Sequence, residues 1–362
     1  MWTAGPASRD TRAPNRVRRT RASQRAHRPA PSGSSLAAGH CTLPAVDELP
    51  PALPPEALAY YGRGRETVRL GEGHGVIELA RTCEILDRWL PHPPATVLDV
   101  GGGPGVYAVR LARRGYRVIL VDAVLLHVKQ ALDAAASAGQ TIEARVGDAR
   151  RLEEPEGSVD AVLLLGPLYH LTERSARLRA LREARRVLRP GGLVVAAGVS
   201  RFASLLAGLF DGSLADPAFR EIVERDLVEG QHRNPTPRDY CTTTFFHHPD
   251  ELRAEVTQAG FAVQAVLGVE GPGWTLPDLA LRWTDTARRA EILSAARAVE
   301  SEPSLLGLHP HILALGQNHR GPDDGLRALK ASTTVLTGYD RSGEVPVRQR
   351  RPVGSWETGI AP

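Results

Sequence analysis

The sequence predicts an α/β protein, a doubly wound parallel sheet with helices on both faces. Three observations carry that reading. Short apolar strand-like runs alternate with amphipathic helical segments from Thr96 to Gly198, the order that builds parallel sheets. The first strand enters a glycine loop and a helix in "VLDVGGGPGVYAVRLARRGYRVILVDA", Val97 to Ala123. The first two strands also each end in an aspartate, Asp99 and Asp122.

Each element follows from its pattern. "HGVIELARTCEILDRWL" sets Val76, Leu79, Ala80, Cys83, Leu86 and Leu90 on one helical stripe ahead of the core. Strands are expected at Thr96–Val100, Arg117–Val121, Thr141–Val146, Val159–Leu164 and Leu193–Gly198. The helices between them are Val106–Arg114, Leu125–Ala138 and Thr172–Leu188, the last with Thr172 as its cap. The alternation then changes. Pro249–Ala259 is a helix stopped at Gly260, "FAVQAVLGV" is a strand, and "HILALG", His311–Gly316, is the last strand. Two insertions, Ser200–Tyr240 and Gly271–Pro310, break the pattern where an α/β fold builds its pocket. The domain plan is therefore a disordered Pro/Ser/Arg-rich arm at 1–55, one domain at 56–319, and a loosely ordered tail at 320–362.

Composition narrows the function classes. The chain has 362 residues, 42% of them hydrophobic, enough for a sizeable core. It holds no apolar run of about 18 residues that could span a bilayer. The arginine-rich start is followed by no apolar segment, so it does not read as a secretory signal. Cys41, Cys83 and Cys241 are isolated and lack zinc-ligand spacing, which suggests reduced thiols in a cytoplasmic protein and no metal site. The formal net charge of +4 hides an asymmetry. Residues 1–30 carry eight arginines and one aspartate, +7, which leaves the remainder at −3. A slightly acidic body offers no general footprint for nucleic acid.

Asp99-Val-Gly101-Gly-Gly103-Pro-Gly105 fits D-x-G-x-G-x-G, a loop whose backbone can approach a ligand at a helix N-terminus. Gly103 to Ala108 also satisfies the G-x-G-x-x-A dinucleotide fingerprint, so a nicotinamide cofactor stays open on the loop alone. The carboxylates favour another ligand. Asp99 would repel a pyrophosphate but suits an ammonium. Asp122 can take both ribose hydroxyls, and Asp148 in "GDAR" can accept from an adenine amino group. A ligand with an ammonium, a ribose and an adenine is S-adenosylmethionine.

With these motifs the sequence resembles the class I S-adenosylmethionine-dependent methyltransferases, from about Glu56 to His319. "YYGRGRETVRL", "LGPLYHL", "FFHHPDELRAEVTQAGF", "VEGPGW" and "ARAVESEPSLLGLHPHILALG" look like a bacterial stand-alone branch, mostly of unassigned substrate. The basic N-terminal arm and the C-terminal tail depart from that branch. The resemblance implies a seven-stranded sheet of order 3-2-1-4-5-7-6 with the last strand antiparallel; the two helical insertions read from the pattern are expected to form a substrate lid over it. It places Asp99, Gly101, Gly103 and Gly105 on the methionine part. Asp122 with Ala123 falls at the ribose, and Asp148 with Ala149 at the adenine.

Methyl transfer needs alignment in a dry pocket, and an oxygen nucleophile can need a general base. The candidates are His170, just past the fourth strand, and His247. His248, before Pro249, reads as a helix flank. Tyr60, Tyr61, Glu66 and Arg69 precede the core and suit a lid, with Tyr61 on the cofactor and Arg69 a partner for its carboxylate. Phe202, Leu206, Phe210, Phe219, Trp274, Leu279 and Trp283 in the insertions suggest an apolar pocket for a small-molecule acceptor. The alternatives are an RNA or protein acceptor, or a non-catalytic cofactor-binding protein.

Overall fold

The computed structural model describes residues 53–234 and 242–319. The basic arm up to residue 52, Cys41, Cys241 and the C-terminal tail lie outside the described residues. Ahead of the core stand α1 (Pro55–Tyr61), α2 (Glu66–Arg69) and α3 (Gly75–Trp89). The alternating part runs β1 (Thr96–Val100), α4 (Val106–Arg113), β2 (Arg117–Asp122), α5 (Leu125–Ser137) and β3 (Glu143–Val146). It continues through β4 (Val159–Leu164), the short α6 (Pro167–His170), α7 (Arg174–Val187) and β5 (Leu188–Ser200). The first insertion holds α8 (Ala203–Asp211), α9 (Pro217–Glu229) and β6 (Gln231–His232). After β7 (Thr244–His247), α10 (Pro249–Gln258) and β8 (Ala262–Gly268), the second insertion holds α11 (Leu279–Thr284) and α12 (Thr286–Val299). The last strand is β9 (His311–Gln317).

The main sheet runs β3-β2-β1-β4-β5-β9-β8, parallel as far as β5 and antiparallel in both later pairings. This is the expected 3-2-1-4-5-7-6 order, with β9 as the antiparallel seventh strand. Both faces are covered, so the strands read as continuous apolar runs. Alternation then sorts them. Leu98, Val162 and Leu164 face α7 and α10, whereas Val97, Leu120 and Leu163 face α3, α4 and α5. The short pair β6–β7 is an addition that the sequence pattern did not show. Val199 pairs with His311 of β9 on one edge and with Phe246 of β7 on the other. Strand β7 therefore continues the edge that β4 leaves after its last pair, Leu164 with Ala196.

Several local expectations change. Helix α3 buries Ile77, Arg81 and Ile85 as well as Cys83 and Leu86, a wider sector than the expected stripe. The reason is that it is covered on two sides: Ile77 also packs against Ala207, Trp274 and Ile292 from the insertions. Thr172 does not cap α7; the helix starts at Arg174 with Glu173 before it and no side-chain cap. "GPLYH" is not a plain turn but the one-turn helix α6, entered through Pro167. His248 is the N-cap of α10, its ring accepting from the Asp250 N–H in a capping box with Glu251. The insertions build a satellite core of their own. Phe219, Trp274 and Leu279 are buried, while Leu209, Phe210 and Leu281 are exposed.

Candidate active site

The site grows from the carboxyl end of β1. The Gly101 N–H bonds the Val121 carbonyl at 2.6 Å, turning the chain sharply over the neighbouring strand. Gly101 has φ +70°, and a Cβ there would meet Pro167 Cδ at 2.7 Å. Gly105 (φ +84°) is the N-cap of α4, where a Cβ would meet that of Ala131 at 2.8 Å. It sets the α4–α5 approach. Among the loop glycines expected at the ligand, Gly101 and Gly103 line the cleft and Gly105 does not.

Beneath the loop lies Asp99, fully buried, with neither carboxylate oxygen hydrogen-bonded. Burial, and then the nearby Asp122, push its pKa up to about 7. The second acid is organised from the protein side. Asp122 accepts from Gly103 N–H (2.9 Å) and Val124 N–H (2.8 Å), and His127 Nδ1 lies 3.2 Å away. Asp148 accepts from the Arg150 backbone at 2.8 Å and from its guanidinium at 2.6 Å, with 24% of its side chain still exposed.

A cleft of about 1170 Å³, counting its open mouth, joins these groups at the carboxyl edge of the sheet. Ala123 and Ala149 line it beside their aspartates, and Tyr61, Arg69 and His170 close it from above. Tyr61 OH lies 2.6 Å from His170 Nε2, and its ring meets that of His127 edge-on. Helix α1 is held there by Leu53, Ala57 and Tyr61 packing on Val124. Burial lowers the His170 pKa to about 4. The Arg69 fork is spent largely on acids: two bonds to Glu78 (2.7 and 3.2 Å) and one to Glu66 (2.8 Å).

The structure does not bring His247 to this cleft. Its Nε2 faces Glu255 Oε2 at 3.4 Å in a buried pocket between β7 and α10. Arg177 donates to the same carboxylate at 2.7 and 2.9 Å and stacks 3.6 Å over Phe245. Nor do the aromatic residues of the insertions line it; among the described residues its apolar walls include Val121, Ala197 and Leu313 of the strands, Val106 of α4, and Leu53, Leu70 and Leu171 of the flanking segments. Side chains that the sequence reading passed over do line it. Glu78 of α3 and His311 at the start of β9 face the cavity, with buried Glu270 behind His311. Glu270 and His311 flank the second insertion, and that spacing was their one visible signal.

A family model described as a methyltransferase domain matches residues 97–192. A ubiquinone biosynthesis O-methyltransferase of Caulobacter sp. (strain K31) is 31% identical over 199 residues, 54% of this chain and 69% of its own length. The chain belongs to the class I S-adenosylmethionine-dependent methyltransferases. The same kind of enzyme from Caulobacter vibrioides is 31% identical over 180 residues, 49% of this chain. This chain spans 64% of that relative and 63% of the one from Maricaulis maris, just under two thirds of each. A solved S-adenosylmethionine-dependent methyltransferase of Methanosarcina mazei is similar at 18% identity and a TM-score of 0.46, over 66% of this chain and 98% of that one.

The cleft of this methyltransferase suits the family's cofactor, S-adenosylmethionine. Asp99 is a buried carboxylate short of a partner, which a ligand ammonium would supply. Gly103 has positive φ with open space where a Cβ would stand, so the backbone is bare toward the ligand. No helix among the described residues is long and apolar enough to cross a membrane.

Proposed function

We propose that this methyltransferase acts on a hydroxyl of a small molecule, with the cofactor held along the carboxyl edge of β1, β2 and β3. The observation that carries the cofactor placement is Asp99, orphaned and buried under the glycine loop. When bound, S-adenosylmethionine supplies an activated methyl group on a sulfonium. Asp99 takes the ammonium and loses its proton in doing so. Asp122 has its carboxylate aimed by two backbone N–H groups, and its remaining lone pairs accept from the ribose hydroxyls. Asp148 presents its open side to the adenine. Tyr61, anchored on His170, keeps water off this end of the cleft, where alignment in a dry space provides most of the rate.

Two features support a small acceptor. The cavity is bounded by α1, α2, α3 and α6 and combines apolar walls such as Val121, Ala197 and Leu313 with polar groups that converge on it, as small-ligand sites do. The relatives named above are O-methyltransferases of ubiquinone biosynthesis, which supports oxygen as the nucleophile. The test is to incubate the full chain with methyl-labelled S-adenosylmethionine and four acceptor pools: hydroxylated aromatics, small amines, total RNA and total protein. Label in the hydroxylated aromatics is the expected result. Label in RNA or protein alone would overturn the proposal.

A further inference from the structure

We propose that His311, clamped by Glu270, is the general base that takes the proton of the acceptor hydroxyl. The inference rests on the reading of this cleft as a small-molecule O-methyltransferase site. His311 opens β9 opposite Val199 near the end of β5, so it stands at the same carboxyl edge as Asp99 and lines the same cleft. Glu270 follows β8 and is fully buried. One of its oxygens accepts from the His311 backbone N–H at 3.1 Å, and the other faces ring Nδ1 at 2.5 Å. Two contacts from one carboxylate fix both the backbone and the ring. Since the carboxylate accepts, Nδ1 carries the hydrogen, which leaves Nε2 of the neutral ring as an acceptor. The side chain is 20% exposed, so the ring is neither sealed in the core nor loose on the surface.

The charges around the ring set its basicity. Glu270 and Glu78 face it, Glu78 at 3.8 Å; Arg69 holds Glu78 through its fork, and His74 lies ahead of α3. Burial works against a charged ring, but Glu78 and Glu270 outweigh it and hold the pKa above the ordinary imidazole value. The comparison with His170 is direct. There Nε2 is occupied by Tyr61 and burial lowers the pKa to about 4, a weak base tied to the lid. In the transfer, the acceptor O–H bond breaks and its proton goes to His311 Nε2. An oxygen electron pair forms the new O–CH₃ bond, the S–CH₃ bond breaks, and its electron pair stays on sulfur, leaving a neutral thioether. Glu78, Glu270 and His311 also lie close enough to share a metal ion. The Arg69 guanidinium on Glu78 already supplies the positive charge there, which favours the base over the metal.

The test uses ring-nitrogen NMR on the full chain, alone and with S-adenosylhomocysteine, from about pH 5 to 9. His311 should titrate above about 6.5, carry its hydrogen on Nδ1 when neutral, and titrate lower in Glu270→Gln. A wild-type His311 that titrates at or below that value, or that carries its hydrogen on Nε2, overturns the proposal without any variant. So does a stoichiometric shift of its resonances by Zn²⁺, which would make the cluster a metal site. The kinetic arm uses 3,4-dihydroxybenzoate and caffeate as probes. His311→Gln should lower turnover by roughly 10²–10⁴ and remove the acidic limb of the pH–rate profile, and Glu270→Gln should move that limb to lower pH. An unchanged limb in His311→Gln overturns the base and leaves the small-molecule reading standing. If wild type binds S-adenosylhomocysteine but methylates neither probe nor any other hydroxyl compound, the hydroxyl reading fails and the base fails with it.

Discussion

Replacing Asp99 by Asn should stabilise the cofactor-free protein at pH 8, although it alters a residue of the binding site. The Asp99 carboxyl is fully buried, and both oxygens lack a partner. Burial pushes its pKa to about 7. In the unfolded chain it ionises at about 3.9. Between these values the folded state holds a proton that the unfolded state has released, so stability falls as pH rises through that window. Three pH units correspond to about 4 kcal/mol, lost progressively from about pH 4 and fully lost above about pH 7. An asparagine avoids that loss but leaves an unpaired buried amide, which costs roughly 1–3 kcal/mol. The net expectation is a gain of roughly 1–3 kcal/mol at pH 8, and no gain at about pH 4, where Asp99 is already neutral. Urea unfolding of both proteins at pH 4, 6 and 8, without cofactor, measures it. A gap that fails to grow with pH, or a variant less stable than wild type at pH 8, refutes the reasoning. With cofactor the sign reverses, because the ammonium needs the ionised acid. Wild-type affinity should improve about tenfold per unit up to pH 7, and Asp99→Asn should lose that dependence.

Gly105→Ala should lower stability by roughly 2–4 kcal/mol by urea midpoint, since it combines a left-handed φ with a clash against Ala131. Glu255→Gln should cost roughly 3–5 kcal/mol by leaving the buried Arg177 charge without its carboxylate, with cofactor affinity within about twofold of wild type in titration calorimetry. Burial would raise the Glu255 pKa, but His247 and Arg177 hold it at about 2, so its contribution is present above about pH 4.3 and lost as pH falls toward 2. Tyr61→Phe removes the hydroxyl bonded to His170 and should raise the cofactor Kd about two- to tenfold, read by the same calorimetry.

The sheet was legible because both of its faces are buried. Alternating apolar strands and amphipathic helices leave few other ways to hide that surface, and the strand order followed from the family resemblance. The aspartates at the ends of β1, β2 and β3 stood out for a related reason: an acid that closes an apolar run is a costly choice. Other features depended on distance in the sequence. Glu270 and His311 meet across an insertion of forty residues, so no local pattern links them. His247 read as a candidate base because a histidine ahead of a helix is locally ambiguous. Its burial beside Glu255 depends on β7 joining the edge of β5, a two-residue pairing too short to show in sequence. The insertion aromatics were apolar enough to line a pocket, yet an inserted helix pair must first bury its own face, and Trp274 and Leu279 do so against α3.

The central claim is that the carboxyl edge of β1, β2 and β3 holds S-adenosylmethionine, and titration calorimetry of the full chain tests it most directly. Wild type should bind one equivalent of S-adenosylmethionine and should not bind NAD. Asp122→Asn weakens the charge-assisted bonds to ribose and sets an amide NH2 against either the Gly103 or the Val124 N–H, so its affinity should fall by roughly ten- to a hundredfold. Binding of NAD in place of S-adenosylmethionine, or an Asp122→Asn variant that binds as tightly as wild type, would contradict it.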